Sequence, residues 1–530
     1  MKKDMPLEGL RWSRDSGSTL CDTPQNGRSR TGWGGGKKLF ANAILTKNIT
    51  VNEGVLDAVN KGQVSESNFI EWEPIGKHDN YDDVYTGTFD GQGYTISGLY
   101  FNDTKASYVG LFGYIGDEYY GHKGKISNVG VSDSYFQFDK QGGGVCGFID
   151  YGGVLQNCSN SSTVIGKNND SRAGGVCGDN NGTVRDCKNT GSVSGQNDVG
   201  GVCGFSAGTV KSCYNTGSVH GTGTHVGGVC GSNYISTTYS GTITNCYYLE
   251  NTATGGMEGK DVPGKAENMS KEQFKSGEVA WLLNGKGLGE QVWGQLLGWD
   301  QSPVPGSYYK VIKAAQGDKD ANGNDTYWAT FSNLKNDATL YVPLGRTLKV
   351  YNATVSGGKL TLTERDKQVA KDEGVLLKTD GEYVNAKANE ANVLEKASPD
   401  ENHLVATPAE AKTVTETDYI LYRLTYKNQY KDNLGFYLGS SDGKSLKAIP
   451  GKAYLKVSED AAKAPSSAAL TRSFVFGGGS ETTGIDGITI MGTDVQRHGT
   501  IEGIFDLQGR KISNPTKGIY IKNNKKVIIK

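Results

Sequence analysis

GGGVCGFIDYGGVLQNCSNSSTVIG from Gly142, AGGVCGDNNGTVRDCKNTGSVSG from Ala173, VGGVCGFSAGTVKSCYNTGSVHG from Val199 and VGGVCGSNYISTTYSGTITNCYYLE from Val226 are one sentence written four times. The cysteines that follow GGV, namely Cys146, Cys177, Cys203 and Cys230, recur every 26 to 31 residues. A unit that short cannot bury an apolar face alone, so it must stack on its neighbours. In the third copy the apolar runs are Gly201 to Cys203, Thr209 to Cys213 and Gly217 to Val219. Short β-branched runs bounded by Gly, Asn, Ser and Thr are strands. Three strands per period, in phase, describe a right-handed parallel β-solenoid with coils about 4.8 Å apart. Val176, Val202 and Val229 should form one vertical ladder, and Val184, Val210 and Ile243 another. Val202 and Cys203 are neighbours and would face opposite ways on a straight strand. Either parity breaks at a corner there, or one ladder faces outward.

The repeats resemble the GLUG-motif repeats of bacterial surface and secreted proteins. The resemblance is carried by GGVCG, by the CYNTGSV of Cys213 to Val219, and by a lead-in of Trp72 to Gly76, Tyr85 to Ile96 and Val109 to Gly113. A first, divergent repeat runs from Tyr108 to Phe138. The resemblance implies a β-solenoid at the cell surface and implies no catalytic residue. It covers roughly residues 40–250, so the solenoid is assigned to 39–250.

The ends read differently. Met1 to Lys38 is polar, lacks the apolar stretch of a signal peptide, and is expected to be disordered. The remainder reads as exported, so this segment is expected not to be the natural start of the exported chain. After the array, Ser270-Lys271-Glu272-Gln273 fits a capping box. Phe274, Trp281 and Leu282 follow on one helical face, with Gly285 as a stop. Residues 251–309 are therefore read as a helical cap and linker, whose aromatics could alternatively stack on sugars. From Lys310 glycine thins out and short alternating strands begin. Hairpins are expected at 348–363, 374–384 and 435–455, and 310–476 is read as an antiparallel β-sandwich. Gly477-Gly478-Gly479-Ser480 opens a linker, 477–484. Residues 485–530 form a small C-terminal β-domain of three strands. That tail resembles the type IX secretion sorting tails of Bacteroidetes, which implies an address read by export machinery.

Composition narrows the function. There are 56 Lys+Arg against 57 Asp+Glu, a formal charge of −1, with no basic stripe to hold nucleic acid. No apolar run is long enough to span a membrane as a helix. Of nine cysteines, eight sit two per copy. They read as a ladder of buried thiols or as one disulfide per coil, such as Cys177 to Cys187, with the thiol ladder favoured because small side chains stack well. Six histidines form no HExxH, and no zinc spacing, GxSxG or P-loop occurs, so no cofactor or metal is expected. Asp170, Asp179, Asp186 and Asp198 hold different places in their copies and are not expected to pair.

The expected function is that of an exported protein, extracellular or on the outer cell surface. Its non-enzymatic adhesive solenoid would be displayed through its tail. Tyr214, Tyr234, Tyr239, Tyr247 and Tyr248 are the expected contacts to a host glycan or extracellular-matrix protein, unless they pack against the cap. The alternative is a carbohydrate-active β-helix enzyme, a polysaccharide lyase or glycosidase. Its mark would be two carboxylates about 5 to 10 Å apart on one face.

Overall fold

The computed structural model describes residues 10–13 and 42–476, apart from 65–68, 77–83, 120, 236–239, 288–290, 321, 427–432, 464–469 and 472. Beyond these it describes five strand segments between 488 and 529. The linker 477–484 lies outside the described residues.

The repeats stack as a parallel solenoid. Cys146, Cys177, Cys203 and Cys230 are paired in register. So are Leu155, Val184, Val210 and Ile243. Val145, Val176, Val202 and Val229 are fully buried, as are all eight repeat cysteines. The divergent repeat is a coil too: Phe112–Ile115, Lys125–Ser127 and Gly130–Phe138 pair parallel with the next copy.

Each of the four GGV copies holds more strands than the three expected. The third copy has Val199–Gly200, Cys203–Ser206, Thr209–Lys211, Tyr214–Asn215 and Val219–Gly221, shared among four sheets. Two local features divide the runs. At the first, the N–H groups of both Val176 and Cys177 donate to the Val202 carbonyl, at 2.9 and 3.0 Å. Consecutive N–H groups pointing the same way mean that the chain turns a corner. Parity therefore breaks there, and valine and cysteine are both buried. At the second, the Asn215 side chain takes the N–H and C=O of Gly217. A Cβ on Gly217 would collide with the Gly191 carbonyl.

These asparagines form a ladder that the sequence reading missed. Asn160 Nδ2 donates to Asn189 Oδ1 at 2.9 Å, and Asn189 Nδ2 to Asn215 Oδ1 at 2.8 Å. All three are buried. Each amide satisfies its own turn and its neighbour's amide, which is how a polar column survives inside an apolar rod.

The eight cysteines are free thiols, which favours the ladder over the disulfide expectation. Cys177 Sγ lies 3.2 Å from the Asp179 carbonyl, and Cys213 Sγ 3.2 Å from that of Lys211. Burial pushes the Cys177, Cys203, Cys213 and Cys230 thiols up, so they behave as small apolar groups.

Both solenoid ends differ from expectation. Leu10–Ser13 forms a strand antiparallel to Asn42–Leu45, so residues 1–38 are not wholly without structure. An open coil edge is a template for pairing, and this strand occupies it. At the other end, Ala266–Met269 continues the parallel ladder past residue 250. The capping box forms: Ser270 accepts from the Gln273 N–H, and Gln273 returns the bond. Gly277, at φ 94°, then breaks the expected helix into Lys271–Ser276 and Glu278–Leu283. The break rotates the second helix, so Val279, Ala280 and Leu283 are buried while Trp281 and Leu282 are only partly so.

From Tyr309 onward the sheets are antiparallel, in three layers rather than two. The middle sheet orders Ala315–Gln316, Tyr327–Ser332, Gly374–Thr379, Leu348–Ser356 and Lys359–Arg365. It packs on both faces. Leu348, Val350, Val375 and Leu377 enter one core; Tyr351, Ala353, Val355 and Leu376 enter the other. Of the expected hairpins, the one around Gly357-Gly358 forms. Gly374–Thr379 pairs instead with Tyr327–Ser332 and Leu348–Ser356, and Tyr383–Ala388 belongs to an outer sheet. The run Val375-Leu376-Leu377 is apolar on both faces because it is covered on both. Gly435–Leu438 and Ala453–Ser458 are separated by Tyr419–Thr425, so the third hairpin is also not a direct pair. Of the five strand segments described in the tail, Ile488–Ile490 pairs with Ser473–Phe476 of the module, and the other four, rather than three, form a sheet in which Gly518–Lys522 pairs with Lys525–Ile529.

The module carries a pH dependence. His403 Nδ1 accepts the Val355 N–H at 2.9 Å, which needs a neutral ring, and burial holds its pKa below 6.5. The unfolded chain takes up this proton first. The His403 contribution is therefore full above about pH 6.5 and is lost as pH falls through it. Comparing Tm of the native chain and His403→Gln at pH 7.5 and 5.5 should show a smaller acid loss in the variant. Equal losses would refute the assignment.

Candidate functional site

Of the five tyrosines, the structure hides three. Tyr214 is fully buried: its hydroxyl donates to the Pro303 carbonyl at 2.7 Å, and its ring lies 5.2 Å from Trp293 and 5.5 Å from Phe274. Tyr247, in register with Tyr214, joins the same cluster. Tyr248, the next residue, points the opposite way and takes the ladder place of Asn215 inside the rod. Tyr214 and Tyr247 are covered by the cap and Tyr248 by the rod's own interior, so none of the three offers its ring to solvent. Tyr234 remains 46% exposed. Tyr239 lies outside the described residues.

A different column faces outward. In the strands that begin at Phe112 and at the four GGV cysteines, one register position reads Tyr114, Phe148, Asp179, Phe205, Ser232. Flanking positions are buried, while Phe148, Phe205 and Ser232 are partly exposed. Tyr114 and Phe148 stack with centroids 4.6 Å apart at 20°. Tyr108 meets both edge-on, and Tyr234 lies 6.0 Å from Phe205. Rings at successive rungs make a ribbed apolar surface.

Asp179 interrupts it. Arg172 forms an ion pair with Asp179 and lies over Phe205, with its guanidinium carbon 3.9 Å from the ring centroid. Its Nε is 3.9 Å from Asp198 Oδ2, and Asp198 Oδ1 is 3.0 Å from His225 Nδ1. The expectation that the array's aspartates do not pair is thus corrected for two of them. Asp179 and Asp198 lie in neighbouring copies and converge on Arg172. Asp170 is exposed, and Asp186 pairs with Arg185 at 2.8 Å. Burial pushes the Asp179 carboxyl up to about 6, with Arg172 opposing and Asp198 and Asp150 adding to the rise. Burial also raises Asp198, against the pull of His225 and Arg172. The arrangement can stack flat apolar faces on its rings, present a cation over one of them, and exchange a proton in mild acid. The signal in the sequence was the phase: Phe148, Asp179, Phe205 and Ser232 each stand two residues after a GGV cysteine. Among the described residues no three His, Cys, Asp or Glu side chains form a metal-holding group, and no helix is long and apolar enough to cross a membrane.

No family model matches the chain. Over 128 residues, 24% of the chain, it is 30% identical to halomucin of Haloquadratum walsbyi. Over 64 residues, 12% of the chain, it is 38% identical to a candidate Gly-rich membrane protein of Evansella cellulosilytica. The chain covers 1% and 6% of those two curated relatives. A solved structure of a candidate immunoglobulin A1 protease from Bacteroides ovatus aligns at 17% identity with a TM-score of 0.34. That alignment covers 51% of this chain and 87% of the other.

Proposed function

We propose that this chain is an exported cell-surface protein whose solenoid is a non-enzymatic binding rod for a host glycan or extracellular-matrix protein. The observation that carries the reading is the register column of Tyr114, Phe148, Asp179, Phe205 and Ser232, in which Phe148 and Phe205 stand two coils apart as partly exposed rings on a rigid rod. The binding face therefore moves from the tyrosines under the cap to this column, with Tyr234 at its end. Rigid aromatic anchors bind at small cost in side-chain entropy. The resemblance of the repeats to GLUG-motif surface proteins supports display outside the cell. The resemblance of 485–530 to type IX sorting tails supports that route.

A glycan and matrix-protein screen of the full chain should yield a ligand whose affinity falls at least tenfold in Phe148→Ala/Phe205→Ala, a loss of about 1.4 kcal/mol or more. An unaltered affinity in that variant would refute the face. Deleting 485–530 should abolish surface display, and normal display would end the export proposal.

A second reading, a carbohydrate-active enzyme, is favoured by one observation: Asp179 and Asp198 gathered on Arg172. Incubation with polysaccharides would decide. Chain shortening that stops in Asp179→Asn and Asp198→Asn would establish catalysis in place of binding alone.

A further inference from the structure

Asp179 is the anomaly of the outward column. The coils below and above it supply phenyl rings at the same register, yet its carboxylate is 1% exposed. One oxygen is held by Arg172; the other, Oδ1, is buried with no hydrogen-bond donor among the described residues. A half-satisfied buried carboxylate is expensive, and each such group in a folded protein calls for an explanation. Arg172 supplies the context. Its side chain is 33% exposed, its guanidinium is spread over Phe205, and its Nε lies 3.9 Å from a second carboxylate, Asp198, whose other oxygen engages the exposed His225. The buried acid thus sits behind a cation that is itself at the surface.

We propose that Asp179 is a proton-operated latch for an acidic polysaccharide: as a carboxylate it keeps Arg172 pressed over Phe205, and on taking a proton it releases the guanidinium to a carboxylate of the ligand. Phe148 and Phe205 then receive the flat faces of the sugar rings. The latch deepens the binding-rod reading and rests on it.

The chemistry suits the residues. Arginine stays charged throughout, so only its partner changes, and its planar fork matches a carboxylate in two-point contact. The charged groups around Asp179 come from three coils. Arg172 opposes its protonation; Asp198 from the following coil and Asp150 from the preceding one favour it. Burial is the largest influence and brings the proton exchange into mild acid, near 6.

The test uses the full chain, a polygalacturonate oligomer and the same oligomer fully methyl-esterified, titrated calorimetrically at pH 7.5 and 5.0. The acidic oligomer should bind roughly tenfold or more tightly at pH 5.0, because the competent state rises from a few per cent to most of the population. The ester should show no such gain. Asp179→Asn should bind the acidic oligomer at pH 7.5 as the native chain does at pH 5.0. Arg172→Gln should lose the gain and keep the ester. Affinity for the acidic oligomer that is equal at both pH values overturns the latch and leaves the binding face standing. Binding of both oligomers undiminished in Phe148→Ala/Phe205→Ala, or of neither by the native chain, removes the face for this ligand and the latch with it. Should Asp179→Asn fail to fold, the carboxyl carbon resonance of Asp179 in the native chain decides. A midpoint near 6 supports the latch; one below 5 overturns it.

Discussion

Replacing Asn189 by Leu should cost about 4 kcal/mol or more, although the new side chain is apolar and of similar size. Asn189 makes four hydrogen bonds: it accepts from Asn160 and the Gly191 N–H, and donates to the Gly191 carbonyl and Asn215. Leucine makes none. It leaves the Asn160 amide and both main-chain groups of Gly191 buried and unpaired, at about 1 to 3 kcal/mol each. Burying more hydrocarbon recovers only part, because Asn189 already has no exposed surface. A surface control, Ser218→Ala, should stay within about 0.5 kcal/mol. Stacked repeats need not unfold in one step. Amide exchange of the Thr183–Lys211 coils is therefore the better measurement than a single melting curve. Protection there should drop by about a thousandfold in Asn189→Leu, and a drop under tenfold would show that the amide column is dispensable.

Trp293→Ala is the second large effect, expected at about 3 to 5 kcal/mol. Trp293 is 1% exposed, packs on Tyr214, and donates from Nε1 to the Ser212 carbonyl at 3.1 Å. Truncation opens a cavity in the cluster that includes Met269, Phe274, Val279 and Leu283, and orphans that carbonyl. The consequence goes beyond lost stability. With the cap loosened, Ala266–Met269 offers an unpaired edge to other molecules. The variant should therefore oligomerise in light scattering at concentrations where the native chain does not. A monomeric, cooperatively melting Trp293→Ala would mean the cap is ornamental.

What the sequence revealed and what it hid follow from the reach of each interaction. The solenoid was legible because its period is written in adjacent copies, and stacking needs only that copies align. The capping box was legible because Ser270 and Gln273 are three residues apart. The amide ladder was present as the Asn that follows the second cysteine by two residues in the first three copies, Asn160, Asn189 and Asn215. It passes for turn chemistry until stacking turns three surface-like amides inward. The tyrosines misled because exposure on a repeat is decided by what lands on it. Tyr214 is covered by Trp293 and Pro303, some eighty to ninety residues away. Asp179 and Asp198 occupy different offsets in their copies, and only the turn after Asp170 brings Arg172 between them. Strand partners in the three-layer module are likewise distant in sequence, which is why Val375-Leu376-Leu377 read as half of a hairpin rather than as the middle of a stack.

The short helices and the segment around Trp293 are gripped from two sides. Trp293 and Phe274 are seated against the last coils. Ala280 and Leu297 pack on Val311 and Tyr383 of the outer sheet, and the Leu297 N–H donates to Asn385 at 2.8 Å. A pull on the three-layer module is therefore handed to the rod through interlocked side chains, with no slack tether to take it up. The two parts should tilt together like a single stiff lever, and tension should peel the outermost coil before it stretches the joint.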